Sequence, residues 1–574
     1  MSNSRDNIRK TIGLLFLWLA PLAFLTFFYF YPLGTILLTS LERSENGLAT
    51  LILEIFQSTS IKNVIGFTFW QAALSTILTL LVGLPGAYLF ARYDFKIKSI
   101  LQAITGIPFV LPTMVVATAF NALLGPQGWL NIVLIDLFNL THSPIQLTNS
   151  LTAILIAHIF YNTTIVLRMV GDFWSHLDPR IGQAAQVLGA NKIQSFIHIT
   201  LPILIPAIAS AALLVFIFDF TSFGVILVLG GPRFATLEVE IYYQTISLFN
   251  LPMAATLSII QLISTLSLTI IYTRLSSRLT RPIKLLPKQF TQRKTKNWQS
   301  RLRLIVVMGF ILCLFLLPMI ALVLRSFTRI ETSGITNQPF GIPFTLDFYR
   351  ELNINRTDSL FYIRPIVSIL ISLGYALITV CLGLLLGLPA SWALARNRES
   401  TLNRFIDPLL MLPLGTSAVT LGLGFIIALD RPPLDLRSSP ILIPIAHTLV
   451  AFPFVVRSLT PALSSIRPRI RHAASVLGAS PSQIFWHIDL PLIGRALLVA
   501  ATFAFTISLG EFGATALISR PEYPTMPIMI YRFITQPGAL NYGQALALSS
   551  ILMLITSLGM LFIERFRIAD IGEF

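Results

Sequence analysis

Twelve stretches of this chain run for about twenty residues with scarcely a charge in them, and this constrains the fold more than any other feature. In hydrocarbon an unpaired backbone N–H or C=O costs several kcal/mol, so only helices and closed barrels cross a membrane. Barrel strands would be about ten residues long with alternating polarity. These runs are longer and continuously apolar. In the first half they lie near Thr11–Leu38, Val64–Phe90, Ile100–Leu124, Leu151–Val170, Ile203–Leu229 and Met253–Tyr272. In the second half they lie near Leu304–Leu324, Ile366–Ala395, Ile406–Leu429, Ile441–Val456, Leu492–Ile518 and Ala545–Ile563. The expectation is an all-α polytopic membrane protein. The first run is longer than a signal-peptide core and no small-residue cleavage site follows it, so it is expected to be retained.

Charge then orients the chain. Only 11% of the residues are charged, yet the net charge is +16; soluble domains carry about 25% charged residues. Nucleic-acid binding would need a soluble basic domain, and no segment between the runs supplies one. The cations cluster beside the runs: Arg5, Arg9 and Lys10, then Arg92, Lys96 and Lys98, then Arg396, Arg398 and Arg404, then Arg565 and Arg567. The segment from Arg274 to Arg303 holds Arg278, Arg281, Lys284, Lys288, Arg293, Lys294, Lys296 and Arg301 and no acid. With twelve crossings all of these fall on one side. The positive-inside rule makes that side cytoplasmic, with both termini on it. Cys313 and Cys381 lie inside apolar runs and read as small core residues rather than a disulfide or metal pair.

The chain is an internal repeat. Gln183-Ala184-Ala185, Gly189 and Ile199-Thr200-Leu201-Pro202 recur, at an offset of 289, as His472-Ala473-Ala474, Gly478 and Ile488-Asp489-Leu490-Pro491. At the same offset Ala157-His158 matches Ala446-His447, Arg168 matches Arg457, Phe223-Gly224 matches Phe512-Gly513, Thr236 matches Thr525, and Ile241-Tyr242 matches Ile530-Tyr531. Upstream the offset is 304, where Gly83-Leu84-Pro85 matches Gly387-Leu388-Pro389 and Ala91-Arg92 matches Ala395-Arg396. The drift places an insertion in the outer loop Gly125–Asn149, where extra residues cost least. Each half holds six runs, an even number, so the halves enter the membrane in the same direction and form two parallel repeats of six helices. The divisions are residues 1–275, a basic cytoplasmic linker over 276–303, and residues 304–574. A solute path would follow the axis between the halves.

The duplicated polar segment reads as a helix–turn–helix elbow. Asp178-Pro179-Arg180 and Arg467-Pro468-Arg469 open it with proline in the first helical turn. The alanine pair thins one face for close approach of another backbone. Gly189 and Gly478 permit a sharp turn, and Leu-Pro begins the next span. Ile193, Phe196 and Ile197, with Ile484, Phe485 and Ile488, are the apolar residues expected to pack on a partner.

At these residues the chain resembles the type I ABC importer permeases, whose Glu-Ala-Ala-x3-Gly-x9-Ile-x-Leu-Pro signature (the EAA motif) forms a coupling helix. Gln183 and His472 replace the family's Glu, so the position offers a hydrogen bond rather than a salt bridge. The resemblance covers most of the chain. It implies ATPase coupling through Gln183, Ala184, Ala185, Gly189, Leu201, Pro202, His472, Ala473, Ala474, Gly478, Leu490 and Pro491. It also implies two ABC ATP-binding subunits that bind the ATP, an external solute-binding protein, and a place in the lipid of the plasma (inner) membrane. The chain itself has no Gly-x4-Gly-Lys-Ser/Thr stretch, so no cofactor is expected in it and it is not expected to be an enzyme.

For the solute, Asp219 and Glu511 are the tentative pathway residues. A charge at membrane depth is costly and usually faces a cavity or a partner. They read either as contacts for a cationic solute or as gating and packing groups. The Gly-Glu-Phe-Gly-Ala stretch at Glu511 also resembles permeases for oxyanions such as molybdate and sulfate. The segment Val228–Tyr242, with its Gly230-Gly231-Pro232 turn and a short helix expected from Thr236, looks like the corresponding loop of fused thiamine permeases. Fused permeases of this size are similar to ferric-iron importers as well, so thiamine and ferric iron are the favoured solutes. Glu238 and Glu240 are expected on the outer surface, against a binding protein or solvent. His158 and His447 read as a metal relay or, in the plainer view, as interhelical hydrogen bonds. His198 and His487 would face partner or solvent, and no pair has metal-ligand spacing. An ion-coupled secondary transporter is the rival class. It would share repeats and buried acids but would not need two matched elbows.

Overall fold

A computed structural model describes residues 17–42, 57–231, 233–276, 291–294, 297–330, 344–355, 363–396, 401–430 and 435–566. Arg5, Arg9, Lys10, Pro232, Arg278, Arg281, Lys284, Lys288, Lys296, Arg398 and Arg567 lie outside the described residues.

The first repeat comprises α1 (Leu17–Leu41), α2 (Thr59–Arg92), α3 (Lys98–Val110), α4 (Thr113–Leu124), α5 (Trp129–Phe138), α6 (Leu151–Ser175), α7 (Pro179–Val187), α8 (Lys192–Phe220), α9 (Gly224–Leu229), α10 (Leu237–Ile246) and α11 (Leu251–Ser276). The second comprises α12 (Trp298–Ser326), α13 (Val367–Arg396), α14 (Leu402–Gly415), α15 (Ala418–Ala428), α16 (Leu442–Ser465), α17 (Pro468–Val476), α18 (Pro481–Leu492), α19 (Gly494–Gly510), α20 (Gly513–Ile518), α21 (Met526–Thr535) and α22 (Ala539–Phe566). Among the described residues nine helices are long and apolar enough to cross a membrane, and three bent pairs raise the number to twelve if each pair is one span.

Three of the breaks between apolar helices are sharp bends. The break between α3 and α4 turns the chain by 106°, that between α14 and α15 by 96°, and that between α18 and α19 by 72°. Pro112 precedes α4, Pro413 sits in the tight turn that closes α14, and Pro491 lies just before the α18–α19 break. Proline lacks the N–H a helix needs and its ring crowds the preceding carbonyl. The fifth and eleventh runs are interrupted again after Phe220 and Gly510, before α9 and α20. The loop Gly125–Asn149, where the insertion falls, has structure of its own. It contains α5, and Asn131 ties it together: its amide donates to Gly125 O and Ile145 O at 2.8 Å each and accepts from Ile145 N at 2.9 Å.

Two matched glycines show why the repeat keeps Gly-Leu-Pro. A Cβ on Gly83 would lie 2.7 Å from Val166 Cβ, and one on Gly387 would lie 2.5 Å from Val455 Cγ1. Val166 and Val455 are themselves equivalent, so the same helix crossing, α2 on α6 and α13 on α16, is built twice. The first helix of each half packs on the other half. Trp18, Leu25 and Tyr29 of α1 are buried with Leu421, Phe425 and Ala428 of α15, and Phe315 of α12 meets Phe160 of α6 with ring centroids 5.7 Å apart. Arg168 of α6 reaches Glu564 of α22 at 3.2 Å. The repeats are thus interlocked.

Between the halves one short piece of the linker is placed. Strand β2 (Arg293–Lys294) pairs in parallel with β1 (Tyr93–Asp94), just beyond α2. Cys313 and Cys381 are free and exposed on their helices, not in the core. Hydropathy alone does not say which face of a span is turned to lipid.

Candidate functional site: paired elbows and an axial aromatic cluster

The two elbows fold alike. α7 and α17 are nine-residue helices with no buried residue. Gly189 and Gly478 follow them at φ +96° and +84°, the left-handed region that glycine adopts without a Cβ clash. Their turns close with the same bonds: Ala190 N to Ala185 O and Ala479 N to Ala474 O, both 3.0 Å. Capping boxes restart the helix, Asn191 with Gln194 and Ser480 with Gln483. A single π turn follows in each, Phe196–Thr200 and Phe485–Asp489, leading into Leu201-Pro202 and Leu490-Pro491. His198 Nδ1 donates to Gln194 O at 3.0 Å and His487 Nδ1 to Gln483 O at 3.1 Å, which leaves each Nε2 facing outward.

Gln183, Ala184, His472 and Ala473 are exposed, with Ala185 and Ala474 half-buried beneath them. The most exposed apolar residues lie just before the glycines: Val187 and Leu188 are 88% and 89% exposed, and Val476 and Leu477 are 88% and 87%. Sequence reasoning passed over them, although the signal was present as an identical Val-Leu pair repeated at offset 289 inside a polar loop. It favoured Ile193, Phe196, Ile197, Ile484, Phe485 and Ile488 instead. The first three are exposed, but the second set is corrected. Ile484 is buried, Phe485 packs on Trp392 at 5.4 Å, and Ile488 is half-buried.

The elbows differ in what pins them. Asp489, buried at the end of the second, accepts from Arg471 Nε at 2.7 Å and Trp392 Nε1 at 3.3 Å. The equivalent residues of the first half are Thr200, Gly182 and Tyr88, so no such ion pair exists there. Ser195 Oγ donates to Gly182 O at 2.8 Å in its place.

At the break before α9 and α20 the equivalent rings Phe223 and Phe512 stack, with centroids 5.4 Å apart and planes 19° from parallel. Equivalent residues of two parallel repeats touch only on the axis that relates them, so this stack lies on that axis. Tyr242 and Tyr531, also equivalent, lie close enough to perturb one another, and each packs on its own half's Phe at 5.4 Å. The cluster was visible in sequence only as matched positions.

Asp219 and Glu511 sit behind that cluster, buried within their own halves. Asn162 Nδ2 donates to Asp219 Oδ1 at 2.7 Å, and His158 Nδ1 lies 3.3 Å from the same oxygen. Glu511 accepts from Ala514 N at 2.7 Å, Thr515 N at 3.1 Å and the Thr515 hydroxyl, with His447 Nε2 at 3.3 Å. The histidines bridge helices. His158 joins Ser75 and Ser222 at 2.9 Å each, and His447 joins Ser508 at 2.7 Å and Thr515 at 2.8 Å. Ser222 adjoins Phe223 and Thr515 lies in α20, so each histidine–acid pair braces a helix break that presents an axial ring. No group of three or more His, Cys, Asp or Glu able to hold a metal occurs among the described residues.

Glu238 corrects the expected outer surface. The short helix does begin after Thr236, but Glu238 is 1% exposed. It accepts from Gln261 Nε2 at 2.9 Å and from the Ser417 hydroxyl of the other half. Glu240 is half-buried and accepts from Gln244 Nε2 at 2.7 Å.

Comparison with known proteins places this geometry. Residues 83–281 and 380–567 match the family described as binding-protein-dependent transport system inner membrane component. The thiamine transport system permease protein ThiP of Escherichia coli (strain K12) is 25% identical over 513 residues, covering 89% of this chain and 90% of that protein. The protein of the same name from Haemophilus influenzae is 26% identical over 520 residues, 90% of each chain. That of Brucella abortus (strain 2308) is 27% identical over 521 residues, 88% of this chain and 86% of its own.

Proposed function

The chain belongs to the family of binding-protein-dependent transport system inner membrane components, the multi-pass permeases of ABC importers, and from that premise we propose that it carries thiamine inward through the plasma membrane. That membership favours an ATP-driven importer over the ion-coupled alternative. Both termini and both elbows are cytoplasmic in this reading, which rests on the clustered cations.

The observation that carries the mechanism is the pair of exposed elbows. Each presents a Val-Leu tip, a thin Ala-Ala face and one polar side chain, Gln183 or His472, to an ATP-binding subunit. Two copies of that subunit dock, one per elbow, and hydrolyse the ATP. Their closure moves α7 and α17. The motion passes through the π turns into α8 and α19, whose far ends carry Phe223 and Phe512. Parting of those rings opens the axis, and their stacking closes it. A binding protein on the outer side delivers the solute. The histidine-braced acids Asp219 and Glu511 hold the helix breaks while the rings move.

The aromatic lining supports thiamine over ferric iron. Four aromatic rings at the axis offer faces to a planar aromatic cation, through stacking and cation–π attraction. The relatives named as thiamine permeases point the same way. The test is calorimetry on the cognate solute-binding protein with thiamine and with ferric iron. Tight thiamine binding is expected, and binding of ferric iron alone would overturn the assignment of solute.

A further inference from the structure

Beneath the first elbow lies a cavity of about 420 Å³, within the range that holds small ligands. We propose that it binds a phosphate-bearing anion, which pins the first elbow as Asp489 pins the second. The cavity reaches Gly182, Thr200 and Tyr88, the positions equivalent to Arg471, Asp489 and Trp392. Where the second half fills this space with an ion pair and an indole, the first half leaves it open.

The walls supply four cations against one acid, Asp178, which attracts Arg92. Arg92, Lys192, Arg293 and Arg303 all line the cavity. Arg92 donates to Leu177 O at 3.3 Å, and its guanidinium and that of Arg293 are close enough to repel. None of the four makes an ion pair among the described residues. Asp178, whose Oδ1 accepts from Arg180 N at 2.9 Å, offsets one of the four charges, which leaves a net excess of three cations around the cavity. Strand pairing sets Tyr93 beside Arg293 on the cavity side, and alternation turns Asp94 and Lys294 away. The linker cannot supply a further carboxylate, because no acid occurs from Arg274 to Arg303.

Guanidinium groups bind phosphate through paired N–H donors. The cavity sits where the apolar helix α2 ends and α12 begins, the ends of two candidate membrane spans, so the phosphate would come from an anionic lipid or from a soluble phosphate compound. The second half lacks the site: Arg396 lies over the Trp392 ring at 5.1 Å, Pro481 stands where Lys192 would be, and among the described residues no strand pairs beside it.

Hydrogen exchange on the full-length chain in nanodiscs tests this, reading the amides of residues 179–200. One arm titrates pyrophosphate into discs of phosphatidylcholine alone. The other replaces them with discs of equal phosphatidylcholine and phosphatidylglycerol. Slower exchange in the first arm assigns a soluble ligand, and in the second a lipid. In the double variant Arg293→Gln/Arg303→Gln, both exposed residues outside the elbow, the response should weaken at least about tenfold in concentration, from loss of two phosphate-facing charges. Arg404→Gln, an exposed cation beside the equivalent span, should leave it intact. No protection in either arm, or protection that survives the double variant, overturns the proposal. So does protection that disappears once ATP-binding subunits are docked, which would assign the cations to that interface.

Discussion

Replacing Phe512 by Ala probes the axial closure directly. The substitution removes two ring contacts, the stack on Phe223 and the packing on Tyr531, both at 5.4 Å. Each aromatic pair contributes about 0.5–1.5 kcal/mol beyond its buried area. The packing on Tyr531 lies within one half and persists in either arrangement, so the arrangement with the rings together loses only the stack, about 0.5–1.5 kcal/mol against one with the halves parted, a shift of roughly 2- to 13-fold in their ratio. The assay is the ATPase rate of the reconstituted permease with its ATP-binding subunits and no solute-binding protein. That rate should rise, because the closed state no longer restrains the elbows. A double-mutant cycle with Phe223→Ala separates the stack from general damage, with an expected coupling of about 0.5–1.5 kcal/mol. An unchanged resting rate, or strict additivity of the two substitutions, would refute the assignment of these rings as the closure.

Other substitutions test neighbouring parts of the account. Leu188→Asp with Leu477→Asp should release the ATP-binding subunits in pull-down experiments while the melting temperature stays within error, since both side chains are almost fully exposed. Gly189→Val should cost about 1–2 kcal/mol of backbone strain at φ +96° and uncouple hydrolysis from uptake. Gly189→Asn should be milder, because asparagine tolerates that region, and equal effects would contradict the turn argument. Glu511→Ala strips the partner from Ala514 N and Thr515 N, costing about 2–6 kcal/mol for two buried donors. A fall in thermal stability is expected, and lost uptake with unaltered stability would put Glu511 on the solute instead. Arg471→Ala leaves Asp489 buried without its cation, a loss of about 3–5 kcal/mol that should loosen exchange in the second elbow and not the first.

Much of this architecture was legible in the sequence because it is written twice. The matched glycines, prolines and alanines of the elbows gave their turn and its position, and the Gly-Leu-Pro pairs marked a helix crossing that the structure places against Val166 and Val455. The helix breaks were not legible. Hydropathy sums apolar character and is blind to direction, so a span bent by 106° and a straight one give the same profile. Long-range partners were also hidden. Glu238 looked like a solvated loop acid because Ser417, which binds it, lies 179 residues away. The axial rings appeared only as repeat matches, since contact between equivalent residues depends on how close the two halves stand.

The most direct test of the central claim is thiamine accumulation in proteoliposomes that hold this chain, its ATP-binding subunits and the cognate binding protein. Uptake should require internal ATP, fall to background when either elbow tip is changed at Leu188 or Leu477, and be absent when the ATP-binding subunits are left out. Accumulation without those subunits, or undiminished by both tip substitutions, would contradict the account of two elbows driving one axial closure.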